Sequence, residues 1–203
     1  DQVMEDFSIG SNLASSSALV VDGVNPTIAS VKSTSTNTTY GTGASINITV
    51  NFSESVSVSS GGSMTVTLET GSTDRTVSIT SISSTSSASG TYTVQDGDAS
   101  NDLSVNSIAL SSGASLSDAA GNAMSSFSIP ADSNLSNFNA IIINTTKPST
   151  PLGFAANSNY GSVGLSWTAV SGATGYKVFR STSTTSGSFA SVATPSASDN
   201  SYT

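Results

Sequence analysis

The chain contains no cysteine and no histidine among its 203 residues. Without cysteine it can form no disulfide, no thiolate metal site and no cysteine nucleophile. Without histidine it lacks the usual general base near neutral pH and every catalytic triad built on an imidazole. Glycosidases work with paired carboxylates instead, but no spacing in this sequence marks such a pair. The composition therefore predicts that the protein is not an enzyme.

Charge is also scarce, at 9% of the residues, and acidic residues outnumber basic ones by 13 to 5. No basic patch is present to neutralise phosphates, so we expect neither nucleic acid nor an anionic membrane surface as a partner. No apolar run approaches the roughly 20 residues that span a bilayer, so no membrane insertion is expected. Aromatic residues make up only 6% of the chain. The abundant Ser, Thr, Gly and Asn favour turns and pleated strands over helices.

Short segments with alternating polarity run through the centre of the chain. In SINITVNF (45–52) the apolar residues occupy even positions, while Asn47, Thr49 and Asn51 occupy the opposite, solvent-facing side. Similar runs are separated by Gly-, Asp- and Ser-rich turns, a spacing typical of an antiparallel β-sandwich. The predicted buried set is Ile28, Val31, Ile46, Ile48, Val50, Phe52, Val66, Leu68, Val77, Ile79, Tyr92, Val94, Leu103, Val105, Phe127 and Ile142.

The start of the chain is similar to a later part of the same chain. SIGSNLASSSALVVDGVNP (8–26) resembles SIPADSNLSNFNAIIINTTKP (128–148). A self-match at a period of roughly 120 residues indicates a tandem array of domain-sized units, so residues 1–22 are expected to be the last strands of a preceding repeat. Two interpretations stay open: the chain is a slice of a longer array, or these strands are donated to a neighbouring molecule.

The central segment resembles a known family. The resemblance covers about residues 23–146 and is carried by the segments NPTIASV, YGTGASINITVNFSESVSV, GTYTVQDGDASNDLSV, DAAGNA and IINTTKP. These segments are similar to the bacterial Ig-like repeats of very large secreted or surface-anchored adhesins. The resemblance implies a β-sandwich that acts mostly as a spacer. In that family some repeats hold Ca²⁺ at loops or at domain junctions.

The pattern changes after two prolines, Pro148 and Pro151, which favour an extended connector. The segment that follows, with Trp167, a turn SGATGY and Tyr176, resembles a fibronectin type III domain, which implies that both rings lie in the core. Such a domain needs roughly 90 residues, so residues 147–203 are expected to be an incomplete one.

The predicted fold class is therefore all-β: two tandem Ig-like antiparallel β-sandwiches, the second incomplete, preceded by orphan strands. The predicted domains are residues 1–22 (terminal strands of a repeat, or donor strands), 23–146 (bacterial Ig-like sandwich) and 147–203 (fibronectin type III-like).

Calcium is the cofactor that the sequence suggests. The densest acidic cluster is QDGDASND, with Asp96, Asp98 and Asp102, and Asp118 follows in SDAAGN. Ca²⁺ takes six to eight oxygen ligands, which carboxylates in flexible loops can supply. The alternative is that Asp, Asn and Gly are simply good turn formers. The sequence thus predicts a calcium site at these four carboxylates, with a purely turn-forming role as the competing interpretation.

The predicted function is that of an extracellular structural or adhesive segment, a stalk, adhesin or filament subunit, at a cell surface that is expected to be bacterial. Its expected partners are neighbouring repeats or identical subunits joined head to tail by donor-strand exchange, besides a cell-surface or glycan ligand that the sequence does not identify. The alternative is a noncatalytic module of a secreted polysaccharide-active enzyme. A glycan-binding face normally shows exposed aromatic rings in a row, and Tyr40, Tyr160 and Tyr202 are scattered along this sequence.

Overall fold

The structure, a computed structural model, describes residues 21–182 and 188–203. Over these residues the fold is all-β, with several separate, almost entirely antiparallel sheets. The chain divides into two compact units, of which the first ends at Thr145 and the second begins at Thr146. The division lies one residue before the boundary predicted from the sequence. The orphan strands predicted within residues 1–22 lie, apart from the last two residues, outside the described residues.

The strands of the first unit build two main sheets and one small sheet. Its elements are β1 Ile28–Lys32, β2 Thr39–Tyr40, β3 Ser45–Val58, β4 Met64–Glu69, β5 Arg75–Ile79, β6 Thr85–Thr93, β7 Ala99–Ser100, β8 Ser104–Leu110, β9 Leu116–Ser117, α1 Leu135–Phe138 and β10 Ile142–Asn144. The larger sheet has the order β1-β3-β6, with β9 paired to the far end of β3, and the second has the order β5-β4-β8. The small sheet β2-β10-β7 contains the parallel pair β2 and β10.

The two main sheets share one apolar core, which gives the unit a β-sandwich-like architecture. The predicted strand register is confirmed, because the even positions from Ile46 to Phe52 are buried while Asn47, Thr49 and Asn51 are not. All other members of the predicted buried set are buried too, apart from two residues near the end of the unit. Alternation therefore identified the buried faces of the long strands.

The two exceptions are Ile142 and Phe127. Ile142 is 39% exposed, whereas its neighbours Ile141 and Ile143 are buried, so its predicted burial is wrong by one position. Three consecutive isoleucines carry no polar residue that would show which of them face inward. Phe127 is only partly buried and packs against the edge of the core.

The segment before β10 is fastened by one asparagine. Asn134 caps the single helical turn α1, accepting from the backbone N–H of Leu135 at 2.7 Å. The same side chain accepts from the Val105 N–H and donates to the Val105 carbonyl of β8, both at 2.9 Å. Leu135 is thereby held fully buried in the core.

Nothing helical in residues 21–182 or 188–203 has the length and apolar character to pass through a bilayer.

The chain enters and leaves the first unit at opposite ends of β3. At the entry, the Asp22 carbonyl accepts from Asn122 Nδ2 at 3.2 Å, and the Asp22 carboxylate lies near Glu54. At the exit, Thr145 Oγ1 donates to the Asp98 carbonyl at 2.8 Å, and the Asp98 carboxylate accepts from the hydroxyl of Tyr92, beside the end of β3 where Ser45 pairs with Thr93. Nine residues of β3 separate these ends, which corresponds to roughly 25–30 Å.

The second unit contains two small antiparallel sheets. Its strands are β11 Ala155–Asn159, β12 Ser162–Ser166, β13 Val178–Arg180, β14 Ala190–Ala193 and β15 Ser201–Tyr202. One sheet has the order β11-β12-β15, and β13 pairs with β14 in the other. Trp167 is buried, as expected, and Tyr176 is half-buried beside it, with ring centroids 5.2 Å apart at 57°.

Candidate functional site

Three carboxylates meet at the entry end of the first unit. Asp22 lies just ahead of β1, Glu54 is on β3, and Asp118 directly follows β9. One oxygen from each lies within 4.8 Å of the others. The antiparallel pairing of β1 with β3, and of β3 with β9, brings these three distant parts of the sequence together. It is the one group of three or more potential metal-ligating side chains in the described ranges.

The Asp118 carboxylate is held in place by a turn. Its Oδ1 accepts from the backbone N–H of Asn122, and its Oδ2 accepts from Asn122 Nδ2, both at 2.8 Å. Desolvation alone would raise the pKa of Asp118, but these bonds and those from the Gly121 and Ala120 N–H groups outweigh it and lower the pKa. Asp118 therefore stays ionised at neutral pH.

The pKa of Glu54 is shifted in the opposite direction. Desolvation raises its pKa, and the negative charges of Asp22 and Asp118, together with a hydrogen bond to Asp118, raise it further. A carboxyl whose pKa is raised by folding stabilises the protein below its unfolded pKa, and that contribution is lost as the pH rises through the folded pKa. The negative charges that raise this pKa repel one another, and an oxygen-seeking cation such as Ca²⁺ would neutralise them.

The four carboxylates predicted from the sequence as a calcium site are not brought together. Of Asp96, Asp98, Asp102 and Asp118, only Asp118 belongs to the cluster at the entry end. Asp96 and Asp102 are exposed. Asp98 lies near Thr145, at the exit end of the unit.

Asp98 is a buried anchor for its own loop. It is 1% exposed, its Oδ1 accepts from Arg75 Nε at 2.7 Å, and its Oδ2 accepts from the Tyr92 hydroxyl at 2.6 Å and from the Gln95 N–H at 2.8 Å. Burial of the Tyr92 hydroxyl raises the pKa of Tyr92 most, and its hydrogen bond to Asp98 raises this pKa further. Both Asp98 oxygens are thus occupied by protein donors, and this side chain closes the loop instead of facing a cation.

Sequence reasoning missed Glu54, although a signal was present. Positions 46, 48, 50 and 52 are apolar, position 56 is valine, and Glu54 stands between them at an even position of the same strand. A charged residue where the repeat predicts a core residue indicates a special environment. Its partners Asp22 and Asp118 become visible only once the strand order is known.

We expect Glu54→Gln to change both the pH and the calcium response of the first unit. In chelator at pH 7 the variant should melt at a higher temperature than the parent, because glutamine removes one of the repelling charges. The parent should lose stability as the pH rises through the folded pKa of Glu54, and the variant should lack this loss. In the parent, calcium at a concentration of 100 times Kd should stabilise the folded state by about 2.7 kcal/mol, and the variant, which has one carboxylate fewer at the cluster, should be stabilised less at the same concentration. Scanning calorimetry in chelator and in calcium measures all three effects.

Asp102→Asn is the matched control, since it removes one exposed carboxylate from the loop first predicted to bind calcium. It should leave the calcium response unchanged, whereas Asp118→Asn should weaken it. A melting curve that is the same in chelator and in millimolar calcium would contradict calcium binding at the cluster.

The chain was also compared with known proteins. No protein-family model matches it, and neither a curated protein nor a solved structure does.

Proposed function

We propose that this chain is a structural or adhesive segment of an extracellular surface protein, built from tandem Ig-like and fibronectin type III-like β-sandwiches. In this role each unit acts as a spacer, and the array sets the distance between whatever lies at its two ends. Calcium at Asp22, Glu54 and Asp118 would fix the direction in which the preceding chain enters the first unit.

The observation that carries this proposal is the separation of entry and exit in the first unit. Because Asp22 and Thr145 lie at opposite ends of β3, each unit of this kind adds its long dimension to the array. Units whose termini lay together would stack side by side and add little length. The self-similarity between residues 8–26 and 128–148 supports the same tandem arrangement.

The interior of the first unit supports a spacer role as well. Its buried side chains are almost all apolar, and the buried polar residues in the described ranges are Ser30, Thr70 and Asp98. Asp98 is fully engaged by Arg75, Tyr92 and Gln95. A filled core with one satisfied carboxylate suits a rigid module.

Surface labelling tests this proposal. An antibody raised against the purified chain should label intact, unpermeabilised cells of the source organism, and external protease should remove the label. Labelling that requires permeabilisation would contradict an extracellular role.

A further inference from the structure

The second unit has an apolar face that its own described strands leave uncovered. A cleft of about 760 Å³ between the two sheets is lined by residues of all five strands, from β11 to β15. A smaller cleft of about 240 Å³ continues it toward Trp167. Phe154 is 66% exposed and Phe179 and Val163 are each 53% exposed along this face. Core-type residues at this level of exposure indicate a binding surface.

The cleft also contains a hydrogen-bond donor that has no acceptor. Trp167 lines the smaller cleft and is only 8% exposed, and its indole Nε1 is the one buried side-chain polar atom without a partner in the described ranges. An unsatisfied buried donor costs about 1–3 kcal/mol. A ligand that brings a carbonyl oxygen into the cleft would satisfy this donor. An extended peptide brings one with every residue.

The charge around the cleft favours an acidic peptide. Residues 146–203 contain three basic residues and one acidic residue, and two of the basic ones, Lys177 and Arg180, line the clefts. Residues 21–145 carry a strong excess of acidic groups. The second unit is therefore the one positively charged part of an otherwise acidic chain, which steers an acidic segment toward it.

The N-terminal segment of the chain has the matching chemistry. In DQVMEDFSI (1–9), an extended strand would place Val3, Phe7 and Ile9 on one face, together with the acidic Glu5. The first 20 residues contain three acidic residues and no basic one. The similar segment of the first unit, from Met124 to Ile143, already fills its own place in that core. The open cleft of the second unit is the free acceptor.

We propose that residues 3–9 of a second copy of this chain bind as an added β-strand in the cleft of the second unit, next to Trp167. The entry and exit geometry favours a second copy, because Asp22 lies at the end of the first unit opposite to Thr145, after which the second unit begins. Such binding joins the second unit of one copy to the first residues of the next copy. The same contact can then repeat head to tail along a row of copies. The inference deepens the proposed structural function and rests on it.

The test uses Trp167, the only tryptophan of the chain, as a local reporter. The acceptor is the full chain carrying Phe7→Asp, which disables its own segment. The probe is a synthetic peptide of residues 1–12, and the matched control peptide carries the same Phe7→Asp change. We expect the probe to shift the Trp167 emission to shorter wavelength along a saturable binding curve. The control peptide should bind with a Kd at least about tenfold higher.

A second acceptor adds Phe179→Asp, at a position exposed enough to keep the unit folded, and should lose the response to the probe. Sedimentation of the unmodified chain should show oligomers that grow with concentration, and Phe7→Asp should reduce them to monomers. Equal binding of the two peptides, or no response at millimolar probe, would overturn the proposal. The parent could instead sediment as a monomer while its Trp167 emission lies at shorter wavelength than that of the Phe7→Asp variant. That result would mean that the cleft binds residues 3–9 of the same molecule, and it would overturn binding of a second copy. The surface-labelling experiment does not depend on peptide binding or on sedimentation. If the strand-addition proposal fails, the proposed extracellular function can still be tested by labelling.

Discussion

Replacement of Asp98 by alanine is expected to destabilise the first unit by about 3–5 kcal/mol, because it leaves a charged and a polar partner without their acceptor. Arg75 Nε and the Tyr92 hydroxyl both donate to this carboxylate, and the Gln95 N–H is the third donor. Burial alone would raise the pKa of Asp98, but the bonds from Tyr92, Gln95 and Arg75 outweigh it and lower the pKa. This contribution to stability is therefore present above the unfolded pKa and is lost as the pH falls through the folded pKa.

Urea unfolding followed by circular dichroism and by Trp167 emission separates the two units. The transition of the first unit should move to lower urea in Asp98→Ala, while the transition reported by Trp167, which lies in the second unit, should stay in place. Asp102→Asn, four residues further along the chain and on the other side of β7, serves as the control and should change stability by less than about 0.5 kcal/mol. An Asp98→Ala variant as stable as the parent would refute the anchoring role.

Replacement of Gly90 by valine is expected to destabilise the same unit by about 3 kcal/mol or more, because the core has no room for a side chain there. A Cβ at Gly90 on β6 would lie 2.4 Å from Val77 Cγ1 and 3.1 Å from Ile79 Cγ1 of β5. The side chains of β5 therefore come close to the backbone of β6, a strand of the other main sheet, and glycine permits this approach.

Gly41→Ala is the control for this variant, since a Cβ there meets only the Asn144 carbonyl at 3.8 Å. It should shift the urea midpoint only slightly. A double-mutant cycle of Gly90→Ala with Val77→Ala should show coupling, because shortening Val77 relieves the contact with the new methyl group. Additive effects would mean that the clash with Val77 is not the cause.

The buried faces of the long strands could be predicted from alternation alone, and β3 shows why. Its apolar residues repeat every second position over the whole stretch from Ile46 to Phe52, which leaves a single choice of inner face. The predicted phase was wrong at Ile142, where three isoleucines in succession remove that information. The helical turn at Leu135 was not predicted, because it depends on Asn134 reaching across to β8.

The carboxylate cluster could not be predicted from the sequence, because its three members come together only through strand pairing. Asp96, Asp98 and Asp102 are close in sequence, so they look like a cluster, yet the fold buries Asp98 against Arg75 and leaves the other two exposed. Asp22, Glu54 and Asp118 are far apart in sequence and meet only through strand pairing. Proximity of carboxylates along a chain is a weaker guide than a charged residue that interrupts an apolar repeat.

The separation of entry and exit also determines how the first unit bears mechanical load. A pull on Asp22 and Thr145 runs along the strands, so β1 is drawn lengthwise past β3 and β10 lengthwise past β2 and β7. Ladder hydrogen bonds lie across the strands, so such a pull shears many of them at once instead of opening them one after another. The unit is thus built to resist stretching along the axis on which a chain of such units would be pulled.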